Sequence, residues 1–410
     1  MSTKNYLAKR PEIVWVMAAT CAFAIANVYY NQPLLAVIGQ SFHVSVQQVG
    51  FIPMLTQIGF ATGLLLIIPL GDVMERRQLI VTLSAATACA LAAAAISPNL
   101  LWLVVSSGVI GVTTNIPMLI VPFAAQLAGS KEQGKVVGIV MGGLLIGILL
   151  ARTVSGFIAA SLGWRAMYWI AAGLMIALAV VVAALLPKSQ PSSKLSYYQL
   201  MHSLPGLIQR HPVLRESSII GAMLFGGFSA FWATLVFLLE KPPYHYESDV
   251  AGLFGLVGVV GAMAAPVAGK LADKGSGRRT VGLAVVITMS SFLVFWLFGY
   301  HLWGLIVGVI LLDLGVQAGH VTNQARIYTL PPETHSRLIS IYMVSYFLGG
   351  ALGSFLGAYG WSVWKWSGVC AVGLLMLIIA FAAYLGERKR QYPPQTGEKS
   401  RGPDDKFSGL

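Results

Sequence analysis

The sequence predicts an all-helical membrane protein with twelve transmembrane helices in two bundles of six. Three observations carry that prediction. Of 410 residues, 56% are hydrophobic and only 10% are charged, with a mean hydropathy of +0.74, whereas ordinary globular chains carry about a quarter charged residues. Apolar runs of about twenty residues, each long enough to cross a bilayer as helix, recur along the whole chain. A short charged turn also occurs twice: Pro69-Leu70-Gly71-Asp72-Val73-Met74-Glu75-Arg76-Arg77 returns as Gly269-Lys270-Leu271-Ala272-Asp273-Lys274-Gly275-Ser276-Gly277-Arg278-Arg279. In a membrane protein such a turn keeps two helices close over small residues and sets topology through its positive charge.

In chain order the spans run at about 13–38, 48–70, 79–97, 100–127, 136–161, 166–187, 217–240, 250–271, 280–299, 303–328, 338–360 and 366–386. Connections such as Ser97-Pro98-Asn99 and Leu162-Gly163-Trp164 are so short that they force antiparallel neighbours. Pro33 is placed to bend the first span. The polar segment 188–216 links the halves 1–187 and 217–390; Leu200, Leu204 and Leu207-Ile208 suggest a surface helix there, interrupted by Pro205. Residues 391–410, rich in Pro, Gly, Lys and Asp, are expected to be a disordered cytoplasmic tail.

Of 27 Lys and Arg residues, 23 fall in the two tails and the alternate loops on their side, three (Arg165, Lys241, Lys365) fall on the other side, and Arg152 lies inside a span. The positive-inside rule then places both termini in the cytoplasm. Seven of ten tryptophans (Trp102, Trp164, Trp169, Trp303, Trp361, Trp364, Trp366) lie near the opposite span ends, as an interfacial belt would. Distributed in this way, the net charge of +12 reads as topology, and nucleic acid is not an expected partner. Cys21, Cys89 and Cys370 lie within apolar runs, look like small buried hydrophobes and have no metal-ligand spacing. The first apolar run is too long for a cleavable signal sequence.

The duplicated turn resembles the signature of the major facilitator superfamily of secondary transporters, roughly Gly-x-Leu-Ala-Asp-Arg-x-Gly-Arg-Arg. The second copy matches it with one inserted residue; the first keeps Leu70, Asp72, Arg76 and Arg77 but has Ile68 and Glu75 at usual glycine positions. Asn27-Val28-Tyr29-Tyr30-Asn31-Gln32-Pro33 and Leu162-Gly163-Trp164-Arg165 are most similar to the bacterial drug and sugar efflux branch. The resemblance implies the major facilitator fold, a cavity lined by spans 1, 4, 7 and 10, and a cytoplasmic gate at Asp72, Arg76, Arg77, Asp273, Arg278 and Arg279. It also shows a departure. The Gly-Pro usual in span 5 of proton antiporters is Ala151-Arg152 here, and Ser106-Ser107-Gly108 occupies the region of the usual span-4 arginine.

Two charges lie deep in spans, Arg152 and Asp313. Each should face a wet cavity or the bundle interior. At 1.5 Å per residue Arg152 sits about 24 Å from the inner end and Asp313 about 15 Å from the outer end, so the two reach similar levels. They are expected to form a working pair for proton coupling, with His320 as a relay; the plain alternative is an ion pair that only locks two helices. Asp313, Gln317, His320 and Gln324 share one helical face. With Arg152 they join Asn27, Tyr30 and Asn31 as cavity candidates, and Gln57, Asn115 and Trp232 are weaker ones that could equally be packing.

No Gly-x-x-x-x-Gly-Lys-Ser/Thr loop, nucleophile–base pair or metal cluster stands out. The expected protein is therefore neither an enzyme nor a cofactor binder. It is read as a monomeric proton-coupled exporter of a small organic compound in the bacterial inner membrane. A symporter or uniporter importing a solute, and a receptor without transport, are the alternatives.

Overall fold

The computed structural model describes residues 10–128, 132–189, 197–262, 277–331 and 334–391, leaving undescribed the side chains of 72, 197–203, 260–262, 336 and 387–391. The helices are α1 (Glu12–Tyr29), a 3₁₀ turn (Gln32–Leu34), α2 (Leu35–Phe42), α3 (Val46–Val49), α4 (Phe51–Leu66), α5 (Leu70–Val73) and α6 (Arg76–Ala95). They continue with α7 (Leu100–Thr113), α8 (Ile116–Ala128), α9 (Gln133–Leu162), α10 (Trp164–Leu185), α11 (Tyr197–Arg210) and α12 (Pro212–Leu239). The last are α13 (Ser248–Ala262), α14 (Gly277–Phe298), α15 (Leu302–Ile327) and α16 (His335–Gln391). Among the described residues ten helical stretches are long and apolar enough to cross a membrane, and Ser248–Val259 is a shorter apolar one.

Local chemistry sets the boundaries. Pro33 falls in the 3₁₀ turn, which bends the first span without ending it. The Glu75 carboxylate accepts from the Arg77 and Gln78 backbone N–H groups and so caps α6. Asn99 does the same for α7 at Trp102, and Gly163 turns the chain with φ +82°. Within α16, Trp364 and Lys365 leave helical geometry. Its two arms fold back on each other, so that a Cβ on Gly368 would stand 2.0 Å from the Gly360 carbonyl oxygen.

Several expectations are corrected. Helix α11 runs through Pro205 instead of being interrupted by it. Of the seven belt tryptophans, Trp164, Trp361 and Trp366 are buried; Trp366 donates its indole N–H to the Phe295 carbonyl. Cys89 is exposed on α6, unlike Cys21 and Cys370. Asp273 and the 392–410 tail lie outside the described residues.

The halves meet differently at their two ends. We call the end bearing the first charged turn and the start of α14 the motif end, and the opposite one the far end. At the far end Gln40 Nε2 donates to Glu240 across the halves, and Phe51 packs on Phe355 at 5.4 Å. Deeper in, Gln57 donates to Ser354 Oγ (3.0 Å) and accepts from Ser229 Oγ (3.4 Å). Phe60 lies 4.2 Å from Phe347. Helices α9 and α13 cross at glycines: Thr153 Oγ1 donates to the Gly252 carbonyl (2.9 Å) and Ser248 Oγ to the Gly156 carbonyl (3.3 Å). At the motif end a cleft of about 460 Å³ separates Leu64, Ile68 and Arg76 from Tyr328, Ile339 and Met343.

Candidate functional site

Between the closed far end and the cleft lies Arg152, only 1% exposed. Its guanidinium sits over three rings, with Cζ 4.1 Å from the Trp232 centroid, 4.9 Å from Tyr29 and 5.4 Å from Phe228. Arg152 Nε donates to Gln32 Oε1 at 2.6 Å, while its Nη2 is buried and unpartnered. A desolvated cation over an aromatic face gains about 2 kcal/mol. Three faces and one amide therefore hold the charge in place without a carboxylate against it.

Asp313 is 3% exposed and its Oδ2 is unpartnered. Among the described residues no ion pair within 4.0 Å joins it to Arg152. The two are nevertheless neighbours, because α13 threads between their helices on glycines. A Cβ on Gly255 would stand 3.2 Å from the Arg152 Cβ, and one on Gly258 would stand 3.1 Å from Asp313 Oδ2. Three residues advance a helix by about 4.5 Å, so the root of the Arg152 side chain and the Asp313 carboxyl lie within one turn of a shared wall. They come from different halves, Arg152 from α9 and Asp313 from α15.

Toward the motif end the polar face of α15 continues. Gln317 is half-buried, His320 is hydrogen-bonded to Gln324 (2.8 Å) and Tyr342 (3.1 Å), and Gln324 reaches Met343 Sδ (3.8 Å) at the head of the cleft. Asp313 and His320 are seven residues apart, about 10.5 Å along the axis. Among the described residues no hydrogen bond joins them directly. Beside them runs an aromatic wall in which Phe225 stacks on Tyr346 (4.1 Å, 15°) and on Phe228 (5.6 Å, 19°).

The remaining predicted cavity residues are placed elsewhere. Asn27 Nδ2 donates to the Phe23 and Ala24 carbonyls and to Thr114 Oγ1, while Asn115 Nδ2 donates to the Phe60, Gly111 and Val112 carbonyls. Asn115 occupies the break between α7 and α8, where the Gly111 and Val112 carbonyls near the end of α7 need donors, and Asn27 on α1 meets that break through Thr114. Asn31 donates to Thr56 Oγ1 (3.3 Å) and keeps Oδ1 unpartnered. Tyr30 is buried. Gln57 belongs to the far-end seal described above.

At the motif end Arg76 donates to the Gly71 carbonyl and Gln126 Oε1, and Arg77 donates to the Ala183 and Leu186 carbonyls at the end of α10. Arg278 repeats the second arrangement by donating to the Tyr384 carbonyl near the end of α16. Arg279 is exposed. The side chain of Asp72 and all of Asp273 are outside the described residues.

Sequence reasoning missed three things. Gln32, Tyr29 and Phe228 complete the cage around Arg152, and the first two adjoin residues already singled out. The Gly252, Gly255, Gly258 spacing, a small residue every third position, is the signal for the close crossing of α13. Glu216, 1% exposed at its side chain, pairs with Arg278 (3.4 Å) and with Arg326. It was hidden by its place at the edge of the linker.

The all-helical fold, built of long apolar helices, is that of a membrane transporter, and the comparisons with known proteins agree. The sequence profile of the Major Facilitator Superfamily matches residues 16–330 and 259–407. YgaY of Escherichia coli K12, named as a transporter, is 39% identical over 369 residues, 90% of this chain and 94% of that one. "Probable transporter SCO4007" of Streptomyces coelicolor is 33% identical over 371 residues, 90% and 86% of the respective chains. A crystal structure of a bacterial homolog of the human lysosomal transporter Spinster, inward-facing and occupied, superposes with a TM-score of 0.73 at 13% identity, covering 92% of this chain and 97% of that one. The chain belongs to the major facilitator superfamily and is a multi-pass membrane transporter of that type.

Proposed function

We propose that this transporter exports a small organic compound in exchange for protons, by alternating access between two six-span halves, 1–187 and 217–390, joined by 188–216. The count of twelve spans treats α16 as two and α13 as a full span. With both termini in the cytoplasm of a bacterium and the chain acting as a monomer in the inner membrane, the motif-end cleft opens inward.

The observation that carries this reading is the pair of buried opposite charges on different halves with no ion pair between them. A carboxylate isolated in a low-dielectric site takes up a proton, and one brought against a guanidinium releases it. Rocking of the halves changes that separation. The polar face through Gln317, His320 and Gln324 supports a proton route to the cleft, relayed from His320 by groups that bridge to Asp313. In the other state the repeated turns, with Asp72, Arg76, Arg77, Asp273, Arg278 and Arg279, close the motif end.

The test is flux in proteoliposomes. Asp313→Asn is expected to abolish accumulation driven by a proton gradient while preserving counterflow, and Arg152→Ala to damage both. An Asp313→Asn protein that still concentrates substrate would place the coupling group elsewhere, and wild-type flux indifferent to a proton gradient would favour a uniporter.

A further inference from the structure

We propose that the ligand held at Arg152 is a small organic monoanion with a flat unsaturated body, of the class of an aromatic carboxylate. The carboxylate would meet the Arg152 guanidinium and the Trp232 indole N–H, with the ring against the wall of α12 and α16. The proposal rests on the reading of the surroundings of Arg152 as the transport site.

Donors are in surplus here. Gln32 occupies Nε of Arg152, which leaves the outer edge of the guanidinium, with its unpartnered Nη2, to offer parallel N–H groups. Trp232 Nε1 is also buried and unpartnered, on the ring 4.1 Å from Arg152 Cζ. Two free donors on adjoining groups match the two oxygens of one carboxylate. Phe228, 5.4 Å from Cζ, is the first ring of the run that continues through Phe225 to Tyr346. A flat body attached to that carboxylate therefore has an aromatic wall to lie beside. The charge of Arg152 sets the ligand's valence. Arg152 is the one cation described beside these rings, and a single guanidinium balances a single negative charge, so a dianion is disfavoured. A bound cation would face Arg152 itself.

The experiment measures binding of four probes of near-equal size to the purified full-length protein: benzoate, cyclohexanecarboxylate, benzamide and benzylammonium. The same titrations use Arg152→Lys, which keeps the charge and loses the fork, and Trp232→Phe, which keeps a ring and loses the N–H. Benzoate is expected to bind at least tenfold more tightly than the other three, to weaken at least tenfold in Arg152→Lys and to weaken several-fold in Trp232→Phe. Binding of benzylammonium without benzoate, equal binding of benzoate and cyclohexanecarboxylate, or benzoate binding untouched by Arg152→Lys overturns the proposal. The wild-type panel decides the class even where a variant fails to fold. Flux of the same probes separates the two readings. Benzoate bound but never carried supports this ligand class and defeats transport, whereas carriage of benzylammonium or benzamide alone defeats the class and leaves transport standing.

Discussion

Closure of the far end depends on α9 and α13 meeting without side chains, and a single methyl group tests it. In Gly156→Ala the new Cβ would stand 2.4 Å from the Ser248 carbonyl oxygen. A carbon rests against a carbonyl oxygen at about 3.3–3.6 Å, so the helices must part by about 1 Å. Overpacking of this kind costs about 1–3 kcal/mol. On the alternating-access reading the cost falls on the far-end-closed state, because opening parts this crossing. With about 1.4 kcal/mol per factor of ten, the open state should gain about 5- to 150-fold. The reporter is a cysteine at Val236, 4% exposed and lining a far-end recess with Gln40 and Glu240. It is introduced after the exposed Cys89 has been replaced by serine and labelled with a membrane-impermeant maleimide. Gly142→Ala is the control on the same helix, since a Cβ there meets nothing within 4 Å. Labelling and flux unchanged in a folded Gly156→Ala protein would refute the argument.

Two further outcomes follow from charge. Glu216→Gln leaves Arg278 and Arg326 facing each other, and breaking a buried pair costs about 3–5 kcal/mol; the partial exposure of both arginines, 23% and 12%, puts the loss at about 2–3 kcal/mol. The melting temperature in detergent should fall clearly, and an unchanged value counts against the pair. At the far end burial raises Glu240 above the ordinary value of 4.5, while Lys241 opposes the shift. A raised carboxyl holds its proton longer in the folded state, so its contribution is complete below about 4.5 and is lost as pH rises through the raised value. Melting temperature should therefore decline from acidic toward neutral pH more steeply in the wild type than in Glu240→Gln, and parallel curves would refute it.

The sequence was most legible where one property repeats. Long apolar runs and the twin turn gave most spans to within a few residues of the observed helices, the end of span 250–271 lying outside the described residues, because crossing a membrane demands the same composition at every passage. Arg152 and Asp313 were legible for the converse reason, as charges where hydrocarbon composition forbids them. Contacts between distant spans were not. Asn27, Asn115 and Gln57 are polar residues on spans, and nothing in their own segments tells a cavity wall from a helix seam. Their partners, Thr114, Phe60 and Ser354, lie 87, 55 and 297 positions away. The separation of Arg152 from Asp313 depends on where α13 passes, which neither of their own helices encodes.

The bonds of Arg77 and Arg278 also bear on how the chain is made. Arg77 heads α6 and Arg278 lies at the start of α14, yet the carbonyls they clasp lie at the end of α10 and near the end of α16, more than a hundred residues later. During synthesis both guanidiniums must wait, hydrated or in contact with lipid headgroups, until the last helix of that half has been delivered. On the two-half reading, each clasp can therefore close only when all of its half has been made.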